Sequence, residues 1–308
     1  MMAQGMELNA PWLVPEWPAP EGVHAACTLR AGGVSEAPWG SLNLGDHVGD
    51  EPAHVRENRR RLSQWIADCT PGACQAFLQQ VHGTDVLDLD AGNVGTANGA
   101  RYDACVTSDA GVVCTIMVAD CLPVLLAHRS GKVVGAAHAG WRGLAGMPPG
   151  RDAGAGPLAQ GVLESLFEAF CRKVQAVAAQ SAIDKEALPQ LSAGIAGQTM
   201  AWLGPCIGPE SFEVGEEVRA AFVAHDAEAA QFFDALSGEG KPRKYLANLP
   251  QLARQRLQAM GIASIYGNDG SGPWCTVRNE SRFFSHRRDA GRLGSSGRLA
   301  ACIWRDGD

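Results

Sequence analysis

The chain has 308 residues, 46% of them hydrophobic, which allows one large or two ordinary globular domains and excludes a wholly disordered protein. Its formal net charge of −7 argues against the basic face that nucleic-acid binding needs, so no nucleic-acid partner is expected. Met1 to Pro20 contains neither a signal sequence nor a membrane span, and the ten cysteines lack regular spacing. We therefore expect a cytoplasmic protein with reduced thiols and no membrane partner.

The first half of the chain is predicted to be rich in strands. A strand over 23–30 ends before Gly32-Gly33, because two glycines permit positive φ. A helix over 51–66 follows, with apolar residues at helical spacing. Short β-rich segments are then predicted over 77–89, 104–107, 112–127 and 133–138. The last two are apolar nearly throughout, which is typical of strands buried on both faces.

The second half alternates helices with strands and contains two segments that look inserted. These insertions are residues 146–160, which are rich in Gly, Pro and Ala, and residues roughly 181–200. The other elements predicted here are an amphipathic helix over 161–180, a strand over 202–207, helices over 215–224 and 249–260, and a strand over 299–304. Because strands and helices are interleaved without an internal repeat, we predict a single α/β domain over 23–308 with a mixed sheet, after an N-terminal extension over 1–22.

Three potential metal ligands each lie where a strand-like segment meets a turn: His82, Cys121 and His138. One Cys and two His leave a fourth tetrahedral position open, as in catalytic zinc sites. Side chains at the carboxyl ends of strands commonly meet in α/β folds. The spacing H-x38-C-x16-H matches no short zinc motif, so three separate structural residues remain the alternative at this point.

Seven motifs in order make the chain recognisable. They are TLRAGGVS at 28–35, SLNLGDHVGD at 41–50, QVHG at 80–83, ADCLP at 119–123, HAGWRG at 138–143, GPCIG at 204–208 and FFSHRRD at 283–289. Together they resemble the YfiH family, whose members are also called laccase-domain, polyphenol oxidase or purine nucleoside phosphorylase family proteins. One branch of it is called peptidoglycan editing factor. The chain departs from the family pattern at the two insertions, at His286, where an aromatic residue is commoner, and at a longer turn over 292–298.

The resemblance implies mixed β-sheets layered with helices and a metal, usually Zn²⁺, at His82, Cys121 and His138. It implies purine nucleosides and phosphate as partners, with phosphorolysis of adenosine, inosine, guanosine and methylthioadenosine and deamination of adenosine. Older naming implies copper-dependent oxidation of phenols, with Cu²⁺ in place of zinc. The peptidoglycan branch implies removal of wrongly built cell-wall precursors. The oligomeric state stays open.

Residue types suggest roles around such a metal. Arginine forks donate to two phosphate oxygens in parallel, which makes arginines near the motifs candidates for phosphate binding. A deaminase of the familiar zinc type needs H-x-E and P-C-x-x-C, and both are missing here, so Asp120 is a candidate proton carrier. The predicted catalytic residues are Asp120, Arg142, Asn43 and Arg59, and the predicted phosphate-binding or substrate-binding residues are Arg30, Arg287 and Arg288.

Two other classes of activity remain open. Cys121 with His138 or His82 as its base would make a thiol hydrolase from the same residues. One His₂Cys set supplies at most a single blue-type copper, which carries electrons but cannot alone reduce oxygen to water, so copper oxidation ranks below zinc. A passive binding module has little use for an open metal position and ranks lower still.

Overall fold

Two β-sheets packed face to face form the centre of the protein in a computed structural model that describes residues 12–147, 160–180, 194–236 and 242–307. The first is five-stranded, in the spatial order Trp12–Leu13 (β1), Val23–Thr28 (β2), Leu299–Arg305 (β14), Val112–Val118 (β6) and Cys74–Gln75 (β3). The second is six-stranded, in the order Ser264–Gly267 (β13), Thr199–Leu203 (β9), Leu122–His128 (β7), Val134–Ala139 (β8), Ala104–Thr107 (β5) and Val86–Asp88 (β4).

A small third sheet and a set of helices complete the fold. The third sheet is antiparallel, in the order Glu213–Gly215 (β10), Lys244–Ala247 (β12) and Phe233–Leu236 (β11). The helices are Pro52–Cys69 (α1), Trp141–Ala145 (α2), Val162–Gln180 (α3), Glu216–His225 (α4), Leu249–Ala259 (α5) and His286–Leu293 (α6). Short 3₁₀ helices lie at Ala227–Phe232 and Gly272–Trp274. None of the helices in these described segments has the length and apolar character needed to span a bilayer.

Alternation along β6 explains how the sheets are covered. Cys114 and Ile116 point into the core between the two large sheets, whereas Val113 and Met117 point outward, because successive side chains of a strand face opposite ways. The outward face is covered by Leu62 and Ile66 of α1, both fully buried. Burial of side chains of this size stabilises the fold by about 1.5–3 kcal/mol each.

The other outer face is covered by α3. Leu166 and Phe170 are fully buried beside Gly135 of β8, on the face of the six-stranded sheet that β8 and β5 form. The apolar period predicted over 161–180 is therefore the core-facing side of a real helix.

Mixed pairing occurs in both large sheets, since β3 with β6, β4 with β5 and β9 with β13 are parallel and the remaining pairs antiparallel. The prediction of an α/β domain with mixed sheets is confirmed.

Some predicted elements differ from the structure. Only Val86–Asp88 of the segment 77–89 is a strand, because the loop before it turns around the Asp103 carboxylate instead of pairing in a sheet. The run 112–127 is two strands, separated at 119–121. The segment before residue 23 contributes the edge strand β1.

The inserted segments are only partly described. Gly146 closes α2 in the left-handed conformation, and residues 148–159 of the first insertion lie outside the described residues. The second insertion was predicted to reach residue 200, but 194–197 form a helical turn and β9 begins at Thr199. The rest of it, 181–193, lies outside the described residues.

Candidate metal centre and substrate cleft

Three separate segments bring His82, Cys121 and His138 together. His82 lies in the loop after β3, Cys121 in the turn between β6 and β7, and His138 near the end of β8. Their ligand atoms all lie within 4.8 Å of one another, and Cys121 Sγ is 3.7 Å from His82 Nε2. The two imidazoles meet edge to face, with ring centroids 4.8 Å apart. The tertiary structure thus joins three ligands that are far apart in the sequence.

The backbone at this point is strained. His82 has φ of 59° and Asp120 has φ of 88°, and these are the two non-glycine residues with positive φ among the described residues. Such conformations cost about 1–3 kcal/mol each and tend to persist at functional sites, where neighbouring contacts over-determine them. Here the strain turns His82 and the Asp120-Cys121 pair toward each other.

The glycines of the HAGWRG motif leave room for the ligands. A Cβ atom on Gly140 would lie 2.9 Å from Cys121 Sγ and 3.0 Å from His82 Cδ2, closer than real Cβ contacts allow. A Cβ atom on Gly143 would lie 2.7 Å from the carbonyl oxygen of Gly83. Larger residues at either position would therefore push the segments bearing the ligands apart.

Asp103 is the buried anchor of the centre. Its carboxylate Oδ1 lies 2.8 Å from His138 Nδ1, and it accepts backbone N–H bonds from Val81, His82 and Gly83 at 3.1, 2.9 and 2.7 Å. An imidazole that donates from Nδ1 to a carboxylate keeps Nε2 free for a metal, as second-sphere carboxylates do in zinc sites. Asp103 therefore orients His138 and shapes the His82 loop at the same time.

The centre favours charged side chains despite its burial. Burial by itself would raise the pKa of the Cys121 thiol, but the charge of His138 and hydrogen bonds from both histidines lower it to about 6. Burial would likewise lower the pKa of His138, but the Cys121 thiolate and Asp103 raise it to about 9. Both shifts favour the charged form, a thiolate beside an imidazolium.

The three residues fit zinc. Thiolate and imidazole are the ligand types zinc prefers, at about 2.3 and 2.0–2.1 Å, so two tetrahedral ligand atoms stand about 3.5 Å apart, close to the observed separation of Cys121 and His82. The His138–Asp103 contact supplies the expected outer partner. Among the described residues this is the one group of three or more His, Cys, Asp or Glu side chains that could hold a metal.

The centre lies at the floor of a cleft of about 320 Å³. The cleft lining combines apolar and basic side chains. The apolar residues are Met117, Trp141, Ile207, Phe212 and Leu249. The basic residues are His47, His286, Arg287 and Arg298. A flat apolar ring and an anion would each find a matching surface here.

Comparison with known proteins agrees with the motifs. A family model described as multi-copper polyphenol oxidoreductase laccase matches residues 24–183 and 178–306. A protein of Pseudomonas aeruginosa named purine nucleoside phosphorylase is 42% identical, over 96% of this chain and 99% of its own length. The Escherichia coli protein named purine nucleoside phosphorylase YfiH is also 42% identical, over 95% of this chain and 98% of its own. This chain belongs to the YfiH, or laccase-domain, family.

Solved structures of YfiH-family proteins share the fold. A Neisseria meningitidis protein superposes with a TM-score of 0.74 at 37% identity, covering 97% of this chain and all of its own. YlmD of Geobacillus stearothermophilus gives a TM-score of 0.74 at 30% identity, covering 98% of each chain. Both alignments extend over both large sheets and the cleft.

Two of the seven predicted catalytic and phosphate-binding residues line this YfiH-family cleft. Asp120 does so, but its carboxylate already accepts hydrogen bonds from Thr276 Oγ1 and from the backbone N–H of Arg287, each at 2.6 Å. The guanidinium of Arg287 donates to the carbonyl oxygens of Ser211 and Glu213. Asp120 thereby joins the Cys121 turn to the start of α6.

The other five predicted residues are not part of the cleft lining. Arg288 forms a paired contact with Asp289, and Arg142 stacks over the ring of Trp141. Arg30 donates to two backbone carbonyls and stacks on Phe284. Their role in this structure is to hold the segments around the cleft.

The two remaining predicted residues contact or lie in the loop over 41–50. Arg59 donates to the carbonyl of Leu44 and stacks on Phe77. Asn43 is fully buried, and both polar atoms of its side chain, Oδ1 and Nδ2, form hydrogen bonds within the protein. Neither side chain is directed at the cleft.

Sequence reasoning missed several residues of the site. Asp103 directly precedes a strand, and a lone acid there gives no specific signal. Gln80 lies within the QVHG motif and pairs reciprocally with the backbone N–H and carbonyl of Met117. Arg298 falls in the turn noted as longer than usual. His47 and His286 belong to recognised motifs, and proximity alone shows that they share a cleft.

Proposed function

We propose that this chain is a zinc-dependent purine nucleoside phosphorylase that also deaminates adenosine. The observation that carries the proposal is a Cys–His₂ centre in a cleft whose lining combines apolar side chains with basic ones. Relatives named purine nucleoside phosphorylase, 42% identical over nearly the whole chain, support it. The substrates would be purine nucleosides and phosphate.

His82, Cys121 and His138 would hold the zinc, with Asp103 as the outer partner of His138. When bound, zinc supplies Lewis-acid chemistry at the floor of the cleft. Gly140 leaves space beside its backbone for Cys121 Sγ and the His82 ring. All ten cysteines are free thiols, which suits a reducing cytoplasm.

The apolar residues of the cleft lining would bind the purine. Trp141 is half-buried, and its indole is fixed by the guanidinium of Arg142 at 4.4 Å from the ring centroid. A purine stacks on such a fixed aromatic side chain, and about 1–3 kcal/mol per base is typical of stacking on aromatic residues. Phe212 and Leu249 would exclude water from the other edge of the ring.

Phosphorolysis joins a phosphate oxygen to C1′ of the ribose and breaks the bond between C1′ and N9, so the products are ribose 1-phosphate and a protonated free base. Proton transfer to the departing base falls to the exposed imidazoles of the cleft, His47 and His286, because histidine is the commonest general acid. Asp120 is less suited, since its two carboxylate oxygens already accept hydrogen bonds.

The test is product analysis with the zinc-loaded protein. Adenosine and inosine are each incubated with and without inorganic phosphate, and the products are separated by chromatography. We expect free base and ribose 1-phosphate only with phosphate present, and inosine from adenosine in both conditions. An absence of new products from both nucleosides would refute the proposal.

A thiol hydrolase is the second candidate, because Cys121 has the pKa lowered to about 6 and lies 3.7 Å from His82 Nε2. Zinc and thiol chemistry compete for one sulfur atom. Full turnover after removal of the metal would favour the hydrolase, whereas activity that requires about one zinc per chain would exclude it.

A further inference from the structure

Arg298 is a cleft arginine without an acidic partner. Its Nη1 donates to the carbonyl oxygens of Ser296 at 2.9 Å and Gly297 at 3.2 Å. In the part of the chain that the structure describes, no carboxylate pairs with it, and its Nε and Nη2 make no hydrogen bond. Two parallel N–H donors of one guanidinium therefore stay available to a ligand in the cleft, the geometry that suits a carboxylate or phosphate.

The protein holds this arginine firmly although it forms no ion pair. Asn43 Oδ1 accepts from the backbone N–H of Arg298 and from that of Gly45, both at 2.9 Å. A Cβ atom on Gly45 would lie 2.7 Å from Arg298 Cγ, so the stem of the arginine packs directly on this glycine. The Asn43 amide nitrogen is fixed in turn by Asp50 at 2.8 Å. Such support fits a side chain positioned for binding.

Burial without a counterion is costly for Arg298. Burial lowers its pKa, and only the charges of Cys121 and Asp120 oppose that shift. Among the described residues of the cleft lining, Asp120 is the one acidic residue, and Thr276 and the Arg287 N–H occupy its carboxylate. In a chain of net charge −7, the described part of this cleft lacks a free acid and contains two arginines. A bound anion would offset that cost.

We propose that Arg298 binds the phosphate co-substrate, and that Asn43 and Gly45 position the arginine. This assignment rests on the proposed phosphorolysis. It differs from the arginines suggested by the motifs, because the guanidinium groups of Arg287 and Arg288 donate to carbonyls or to Asp289. The ligand chemistry is a phosphate dianion, free or carried by a nucleotide, and we assign the free form.

The first experiment measures binding of inorganic phosphate alone to the zinc-loaded protein by calorimetry. Arg298→Gln should weaken binding about tenfold or more, because hydrogen bonds to charged groups contribute about 1.5–3 kcal/mol. Arg298→Lys retains the charge but loses the forked pair of donors. Its affinity for phosphate should therefore lie between those of the wild type and Arg298→Gln. Arg278→Gln, which removes an exposed arginine paired with Glu210, is the matched control and should bind as the wild type does. Wild-type affinity in Arg298→Gln would overturn the assignment.

The second experiment separates the two substrates kinetically. In phosphorolysis of inosine, Arg298→Gln should raise the KM for phosphate about tenfold and leave the KM for inosine unchanged. Asn43→Ala, which removes no atom of the cleft lining, should raise the KM for phosphate in the same selective way. Equal increases in both KM values would show a general structural defect and would refute the positioning role.

Two further arms make the outcome decisive. If Arg298→Gln does not fold, phenylglyoxal labelling of the wild type replaces it: phosphate should protect Arg298 and adenosine alone should not. Adenosine monophosphate is tested separately, and a protein that binds it but not inorganic phosphate contradicts the assignment. Phosphate binding at Arg298 without ribose 1-phosphate formation would refute the proposed function alone, whereas phosphorolysis that is insensitive to Arg298 would refute only this inference.

Discussion

Replacement of Asp103 by asparagine tests how the metal centre is held. The Asp103 carboxylate is fully buried and bonds to four donors, namely His138 Nδ1 and the backbone N–H groups of Val81, His82 and Gly83. Asparagine offers one acceptor oxygen and one NH₂ donor in the same space. Whichever way the amide is turned, at least one of the four donors then faces another donor.

The expected losses of folding stability and zinc affinity follow from the number of donors that lose an acceptor. A buried donor left without an acceptor costs about 1–3 kcal/mol of folding stability. Loss of the outer partner of a metal-bound histidine typically weakens metal binding 10–100-fold, equivalent to about 1.4–2.8 kcal/mol. Asp103→Asn should therefore bind zinc at least about tenfold more weakly and unfold more readily even without metal.

Zinc affinity is measured by competition with a chromophoric chelator, and stability by urea unfolding of the metal-free protein. Asp289→Asn is the matched control, because Asp289 is equally buried and its carboxylate bonds to Arg288 at 2.7 and 2.8 Å, away from the ligands. The control should lose stability but retain zinc affinity. An Asp103→Asn protein that binds zinc within about twofold of the wild type would show that the outer carboxylate is not what holds the centre.

Three further predictions concern the centre and the fold. Gly140→Ala should weaken zinc binding about tenfold or more, because its Cβ would lie 2.9 Å from Cys121 Sγ. Gly291→Ala is the control, since its Cβ would meet open space, and it should retain the zinc affinity of the wild type. Chelator competition compares the two variants. In metal-free protein the thiol of Cys121, whose pKa is lowered to about 6, should be alkylated by iodoacetamide before the buried cysteines. Bound zinc should block this alkylation. If mass spectrometry finds equal alkylation rates of Cys121 with and without zinc, Cys121 is not a zinc ligand. Burial would raise the pKa of Asp289, but Arg288 and its neighbours hold it below the usual value. A carboxyl with a depressed pKa stabilises the fold above its unfolded pKa, so the difference in unfolding free energy between wild type and Asp289→Asn should be full at pH 6 and shrink below about pH 4; a constant difference in urea unfolding would refute this.

The element types were largely predictable, because strands and helices leave their periods in the sequence. The strand at Ala104–Thr107 and the helix at Val162–Gln180 lie within a residue of their predicted bounds. The segment 77–89 misled the same reasoning, since its apolar residues cover the core from a loop whose N–H groups bind a distant carboxylate. A hydrogen-bond partner that is remote in the sequence leaves no local periodicity.

The proximity of the three candidate ligands was predictable for a different reason. His82, Cys121 and His138 lie in short motifs whose glycines and strand ends mark them, and the structure brings their ligand atoms within 4.8 Å. The arginines were harder to sort, because every arginine has the same donors and only its neighbours decide where they go. Arg288 is committed to Asp289, whereas Arg298 has two donors free in the cleft.

The sequence alone indicated the fold class and the family and predicted three candidate metal ligands, because the hydrophobic periods and the motifs lie in short segments of the chain. Only the tertiary structure decided which side chains face the cleft, that Asp103 holds His138, and that the Asn43 loop supports Arg298. These contacts join residues up to 255 positions apart. Their partners are chosen by sheet register and loop packing, and neither can be read from residue spacing.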